Sequence, residues 1–217
     1  MQIAVTHTIN SVLPKLDGFT SKQAPFAIAK ALTRTAMKAK DNANRSTKQF
    51  FDRPVNFTQK AFRFQSANKR DLIAMVYAQQ LQARYLRFGI QGGARRVKGF
   101  EKKFGGDTNS DEKAGGALIP TKNLKLNAAG NVPLSTIKRI QAQPGRYFIG
   151  QPKGGNRPHG IYERTNKNAK LRAVMVFKPA PKYKKRFPLE DVVAKTVKRH
   201  FADELEQAFR EAIRTAR

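Results

Sequence analysis

The 217-residue chain contains no cysteine. That absence excludes disulfides, thiolate zinc sites, iron–sulfur clusters and cysteine nucleophiles. No apolar run approaches about 18 residues, so no segment is predicted to span a membrane. The opening MQIAVTHTIN lacks the charged start and apolar stretch of a signal peptide. On these grounds the chain reads as intracellular and soluble, or as part of a particle assembled inside a cell. Carboxylates are scarce: 15 Asp and Glu face 43 Lys and Arg, for a formal charge of +28. Few self-contained cytosolic enzymes have such a balance. A chain so charged repels itself at low salt and seeks polyanions or acidic protein surfaces.

The same shortage weighs against catalysis. Glu163 stands alone in a basic stretch, without a partner carboxylate or base to make it a general acid, and reads as a salt-bridge anchor for nearby Arg or Lys. Asp107, Asp111 and Glu112 lack the EF-hand pattern. His7, His159 and His200 fall in different segments with no acidic partner at metal-ligand spacing, and each reads as a surface histidine. GGARRVKG lacks the GK[ST] ending of a P-loop, and no GxGxxG follows a strand, so the glycine pairs read as loop residues. No catalytic residue, metal or cofactor is expected, and the chain is not expected to be an enzyme.

Hydrophobic residues make up 40% of the chain, enough for a core and against wholesale disorder. The length suits one domain over 1–217. Charge is uneven along it. Residues 1–112 hold 20 basic and 8 acidic side chains, residues 113–189 hold 17 and one, and residues 190–217 hold six of each. A basic middle before a neutral segment implies a folded body with one cationic face.

Ile3 and Val5 alternate with polar neighbours in a strand predicted over 1–9. A helix over 20–50 is capped by Thr20 or Ser21, tolerates Pro25 in its first turn, and repeats apolar residues at Ala24, Ile28, Ala31, Leu32, Ala36 and Ala39. Extended runs at 57–65 and 72–78, joined by SANKRD, predict a β-hairpin with a six-residue loop. A short helix from Gln79 to Phe88 ends at Gly89. Residues 90–131 are irregular, with one helical turn at Lys98–Phe104, a mobile Gly-rich polar loop at 104–117 and a strand at 117–126. A short helix at Ser135–Ile140 precedes strands at 146–150, 159–164 and 171–177, the last two joined by a turn containing Asn166 and Asn168. From Pro188, the stripe Leu189, Val192, Val193, Val197, Phe201, Leu205, Ala208, Phe209, Ala212 and Ile213 predicts an amphipathic helix over 188–215, roughly 40 Å long. Glu190 and Asp191 suit its N-terminal end, and Arg210, Arg214 and Arg217 its C-terminal end. The fold class is therefore α+β: an antiparallel or mixed sheet packed by the N-terminal helix and the long C-terminal helix.

Two basic clusters are the candidate functional residues. Arg95, Arg96, Lys98, Lys102 and Lys103 form one, and Lys178, Lys182, Lys184, Lys185 and Arg186 the other. The sequence carries no zinc finger, RNP aromatics, GXXG loop or zipper basic region. Most aromatics are Phe, 15 of 20, at core-like spacing, which argues for packing rather than base stacking. The clusters therefore read as a cationic face that tracks a phosphate backbone or docks a partner protein.

Several segments together resemble phage tail-completion proteins, the minor tail protein Z group and related neck proteins. They are ALTRTAMKAKDNANR (31–45), YLRFGIQGGARRVKGFEKKF (85–104), ALIPTKNLKLNAAGNVPLSTIKRI (117–140) and HGIYERTNKNAKLRAVMVFKPAPKYKKRFPLEDVV (159–193). The likeness covers most of the chain and rests on the order and spacing of these segments. It implies a structural virion component: a subunit of a homo-oligomeric ring at the head–tail junction, assembled in the host cytoplasm. Such a ring joins the tail to the portal-side connector around the DNA path, with passing, non-specific contact to DNA and none to a membrane. The alternative is a basic nucleic-acid-binding protein without a virion role.

Overall fold

The computed structural model describes residues 2–5, 23–105, 116–153, 156–165, 170–179 and 181–215. His7, the Thr20 and Ser21 caps, Asn166, Asn168, Arg217 and residues 106–115 of the polar loop lie outside them. The chain forms two compact units, one from residues 1–91 and 185–217 and the other from residues 92–184. The fold is α+β, as expected. The expectation of one sheet is corrected, because among the described residues the strands divide among three sheets, all antiparallel.

The first unit is mainly helical. Helix α1 (Ala24–Phe50) carries Pro25 in its first turn and buries Ala27, Ile28, Ala31, Leu32, Ala36, Ala39 and Ala43. Helix α6 (Leu189–Thr215) lies antiparallel along it, burying Val193, Phe201, Leu205, Ala208, Phe209 and Ala212. The alanines let the two backbones approach, and the larger side chains of α6 fill the space. Ile213, expected in the buried stripe, is instead 60% exposed, although its neighbour Ala212 is buried. A polar seam sets the register beside the apolar one. Lys30 and Arg34 bind Glu211, Lys38 binds Glu204 at 2.6 Å, and Asn42 Nδ2 donates to Thr196 Oγ1 at 2.9 Å. Lys30 and Arg34 hold the Glu211 carboxyl below the usual carboxylate range.

Strands β1 (Gln2–Val5), β2 (Phe62–Gln65) and β3 (Ala74–Ala78) form a sheet in the order β1-β3-β2, with Phe62 opposite Ala78. The β2–β3 hairpin was predicted, but its boundaries move. Residues Asn56–Gln59 form a helical turn, α2, instead of extending the strand. The Val55 carbonyl accepts the Thr58 and Gln59 N–H groups, and the Gln59 amide reaches back to the Pro54 carbonyl. Leu72 and Ile73 stay outside β3, lengthening the connection to eight residues. Asn68 Oδ1 closes its turn by accepting the Arg70 and Asp71 N–H groups.

Helix α3 spans Gln80–Ile90, so Gly89 lies inside it rather than ending it. A Cβ at Gly89 would stand 2.7 Å from Phe51 Cε1, and the Gly89 carbonyl accepts the Arg186 and Phe187 N–H groups. This glycine permits a close approach of helix, ring and chain. Gly89→Ala is expected to destabilise the unit by about 1–3 kcal/mol through overpacking, read as a lower urea midpoint.

The second unit, residues 92–184, holds the other two sheets. Strands β4 (Gly93–Ala94) and β9 (Lys182–Tyr183) pair with each other. Strands β5 (Ala117–Pro120), β6 (Tyr147–Gly150), β7 (Gly160–Arg164) and β8 (Leu171–Lys178) form a sheet in the order β5-β8-β7-β6. A bulge in β8 between the pairs Ile161↔Met175 and Tyr162↔Ala173 lets consecutive residues Val174 and Met175 both be buried. Helices α4 (Gly99–Lys103) and α5 (Leu134–Ala142) fall where short helices were predicted. The strand expected over 117–126 stops at Pro120, where Thr121 turns the chain by bonding the Ala173 and Leu124 backbones. Both margins of the predicted mobile loop are ordered: Phe104 and Ala117 are buried.

Candidate functional site

The two basic clusters are far apart in sequence, with Lys103 ending one and Lys178 beginning the other, and the β4–β9 ladder joins them. Ala94 pairs with Lys182, Gly93 with Tyr183, and the Arg95 N–H donates to the Pro181 carbonyl at 3.3 Å. Immediately after this ladder, Arg95 turns inward. Its guanidinium grips the Glu101 carboxylate through two bonds of 2.8 Å. Glu101 is itself 1% exposed. It also accepts the Lys98 N–H, closing the first turn of α4, and the Leu118 N–H at 3.1 Å from β5. Burial alone would raise the Glu101 carboxyl. The Arg95 guanidinium and the two N–H donors outweigh it and hold the group below the usual carboxylate range.

One buried carboxylate thus ties together β4, α4 and β5. Ala117 of β5 pairs with Lys178 at the end of β8, the strand that leads to β9. Gly116 makes that junction possible. It sits at φ +146°, and a Cβ there would fall 1.9 Å from the Lys178 carbonyl oxygen.

The structure divides the predicted site residues into three groups. Arg95 is not available to an outside ligand, because its charge is neutralised within the fold. Arg96, Lys98, Lys102, Lys103, Lys178, Lys182 and Lys184 are exposed on the strand-rich unit, with Lys98 Nζ 5.9 Å over the Phe100 ring. Lys185 and Arg186 are exposed too, but belong to the helical unit, so the second cluster is split between the two units.

Glu163 is a salt-bridge anchor, as expected. It is 6% exposed and takes Arg146 on one oxygen and Arg172 on the other. The bond from Arg172 holds its carboxyl below the ordinary value, against a smaller opposing effect of burial and with help from Arg146. Both acids of the strand-rich unit among the described residues are therefore neutralised internally, and neither is left to pair with Arg96, Lys102, Lys103, Lys178, Lys182 or Lys184.

The reading of His159 as a surface residue is corrected. It is half-buried against Phe177, with ring centroids 5.2 Å apart, and its Nδ1 has no hydrogen-bond partner. His200 lines a cleft in the helical unit that also gathers basic residues from α1, α6 and the segment around β2. Sequence reasoning missed that cleft, because its cations come from separate segments at helical spacing. Among the described residues, no group of three or more His, Asp or Glu side chains is placed to hold a metal ion, and no helix is long and apolar enough to cross a membrane. No protein-family model, curated protein or solved structure matches the chain.

Proposed function

We propose that the chain is a structural virion protein of a phage head–tail junction: a tail-completion or neck-ring subunit that joins the tail to the portal-side connector around the DNA path. The reading begins from the sequence resemblance. One structural observation carries it further. In the strand-rich unit Glu101 and Glu163 are both satisfied internally, while Arg96, Lys102, Lys103, Lys178, Lys182 and Lys184 face outward without an ion pair among the described residues. A surface so charged gains by meeting acidic neighbours or phosphate. Sister subunits in a ring would bring those cations near DNA on the inside or near an acidic ring above or below.

The test is location. The tagged chain, expressed from its phage genome and labelled with gold, is expected at the junction of head and tail in electron micrographs. Absence of label from purified particles, with heads and tails still joining when the gene is deleted, would overturn the reading. A second reading, a basic nucleic-acid-binding protein with no virion role, is favoured by the cationic cleft of the helical unit. It expects nanomolar duplex affinity at physiological salt from a protein that forms no ring.

A further inference from the structure

The cleft in the helical unit has a volume of about 940 Å³. Helix α1 lines it with Arg45 and Lys48, α6 with Lys195 and Arg199, the segment entering β2 with Lys60, and β2 itself with Arg63. All six side chains are exposed, and none has a carboxylate within ion-pair distance among the described residues. Lys38 and Lys40 also line it, each already paired, with Glu204 and with Asp41. Asp41 is the sole acid in the lining.

Neutral hydrogen bonds hold the walls in place. The Asn42–Thr196 bond joins α1 to α6, and Asn44 accepts the Phe62 N–H while donating to the Phe62 carbonyl, joining α1 to β2. The cations are therefore displayed on a framework that does not need them for its own cohesion.

The zero net charge of residues 190–217 conceals this arrangement. Two acids of α6 and two of its bases face different ways. Glu204 and Glu211 turn to Lys30, Arg34 and Lys38 of α1, leaving Lys195 and Arg199 for the cleft.

We propose that this cleft binds the sugar–phosphate backbone of duplex DNA without regard to sequence. Three features choose this ligand. Six uncompensated cations in one concave surface match a dense line of negative charge. Besides the imidazole of His200, the lining holds one aromatic ring, Phe62, which is 1% exposed. A single strand therefore finds only the half-buried His200 imidazole on which to stack a base, and an acidic protein finds no apolar anchor of the kind that forms an interface core. The length also fits. From Lys38 to Lys48, α1 advances about 15 Å, and successive phosphates of one strand advance about 3.4 Å along the duplex axis, so the wall lies beside a run of about four phosphates. The proposal names a site outside the strand-rich unit and shares with the collar reading only the nearness of DNA.

The experiment uses the full chain and a fluorescent duplex of about 20 base pairs, in several unrelated sequences, with anisotropy followed between about 50 and 200 mM salt. The double variant Arg63→Glu, Arg199→Glu is expected to bind at least about tenfold more weakly to every sequence, with a log–log salt slope shallower by about 2. The control Lys122→Glu, Lys125→Glu, exposed on the other unit and outside both basic clusters, is expected to keep most of the slope. Should reversed charges cost helix content by circular dichroism, Lys60→Gln, Lys195→Gln carries the same expectation in neutral form. Unchanged duplex binding by the folded cleft variants overturns the proposal. So does tighter binding of a single strand of equal length, or displacement of the duplex by polyglutamate at equal charge. Failure of the chain to enter virus particles would sink the collar reading and leave this result standing.

Discussion

Glu101→Ala is expected to destabilise the unit of residues 92–184 by about 3 kcal/mol, the low end for breaking a buried ion pair by removing one partner. The Arg95 side chain, 13% exposed, would keep its charge in the fold with no counter-ion. The Lys98 and Leu118 N–H groups would lose their acceptor in the same step. The β4–β9 pairing should loosen most, since two residues per strand cannot hold it once Arg95 is released. Urea unfolding would read the loss, and hydrogen exchange would place it in the strand-rich unit. Glu101→Gln keeps the shape and one carbonyl acceptor, so it should fall between parent and Ala. The effect depends on pH with a definite sign. Because the folded carboxyl lies below its ordinary value of 4.5, the unfolded chain takes up the proton first as pH falls. The stabilisation is complete above that ordinary value and disappears as pH drops through the folded one. Parent and variant should converge in acid, and a gap that stayed constant down to the acid limit would exclude the ion pair as its cause.

Phe187→Ala should damage the other unit by about 3–5 kcal/mol, the range for emptying a buried aromatic site. Phe187 is fully buried where Phe50, Phe51 and Phe62 converge, with ring centroids 5.3, 5.6 and 5.8 Å away. Its own N–H is bonded to the Gly89 carbonyl, so chain and ring are fixed together and the cavity cannot close by a simple shift. Exchange should accelerate in α1, α3 and β2 and stay near the parent rate in β7 and β8. The two variants thus test the division of the chain as well as the individual contacts. Equal acceleration everywhere from either substitution would contradict two separately cohesive units.

Much of this architecture could be read from periodicity. The alternation of Phe62 and Phe64 with Arg63 and Gln65, the alanine spacing of α1 and the stripe on α6 each report a burial pattern that local geometry imposes. The errors arose where a long-range contact decided. Gly89 has the form of a helix stop and is instead a packing position, because Phe51 needs the room. Residues 57–59 have strand composition, yet Val55 and Pro54 provide acceptors that curl them into a turn. Alternation shows that a strand has a buried face but not which sheet receives it, so it does not distinguish one sheet from three. Arg95 looked like any other arginine of its cluster, and only Glu101 distinguishes it. The pair's spacing of six residues is no signal by itself. The cleft cations were hidden for a related reason: a sum of charges over a helix discards the direction in which each charge points.

The helical unit closes around a partner supplied late. Helix α1 emerges from the ribosome well before α6, with about 140 residues between them, a delay on the order of ten seconds at typical synthesis rates. Throughout that interval the face destined for α6 stands bare to chaperones and to other nascent chains. The buried side of α1 is built largely of methyl groups, Ala27, Ala31, Ala36, Ala39 and Ala43, beside Ile28 and Leu32, while the bulky rings Phe201 and Phe209 of the same core arrive on the later helix. Placing the small residues on the helix that waits leaves little sticky surface in the unfinished polypeptide.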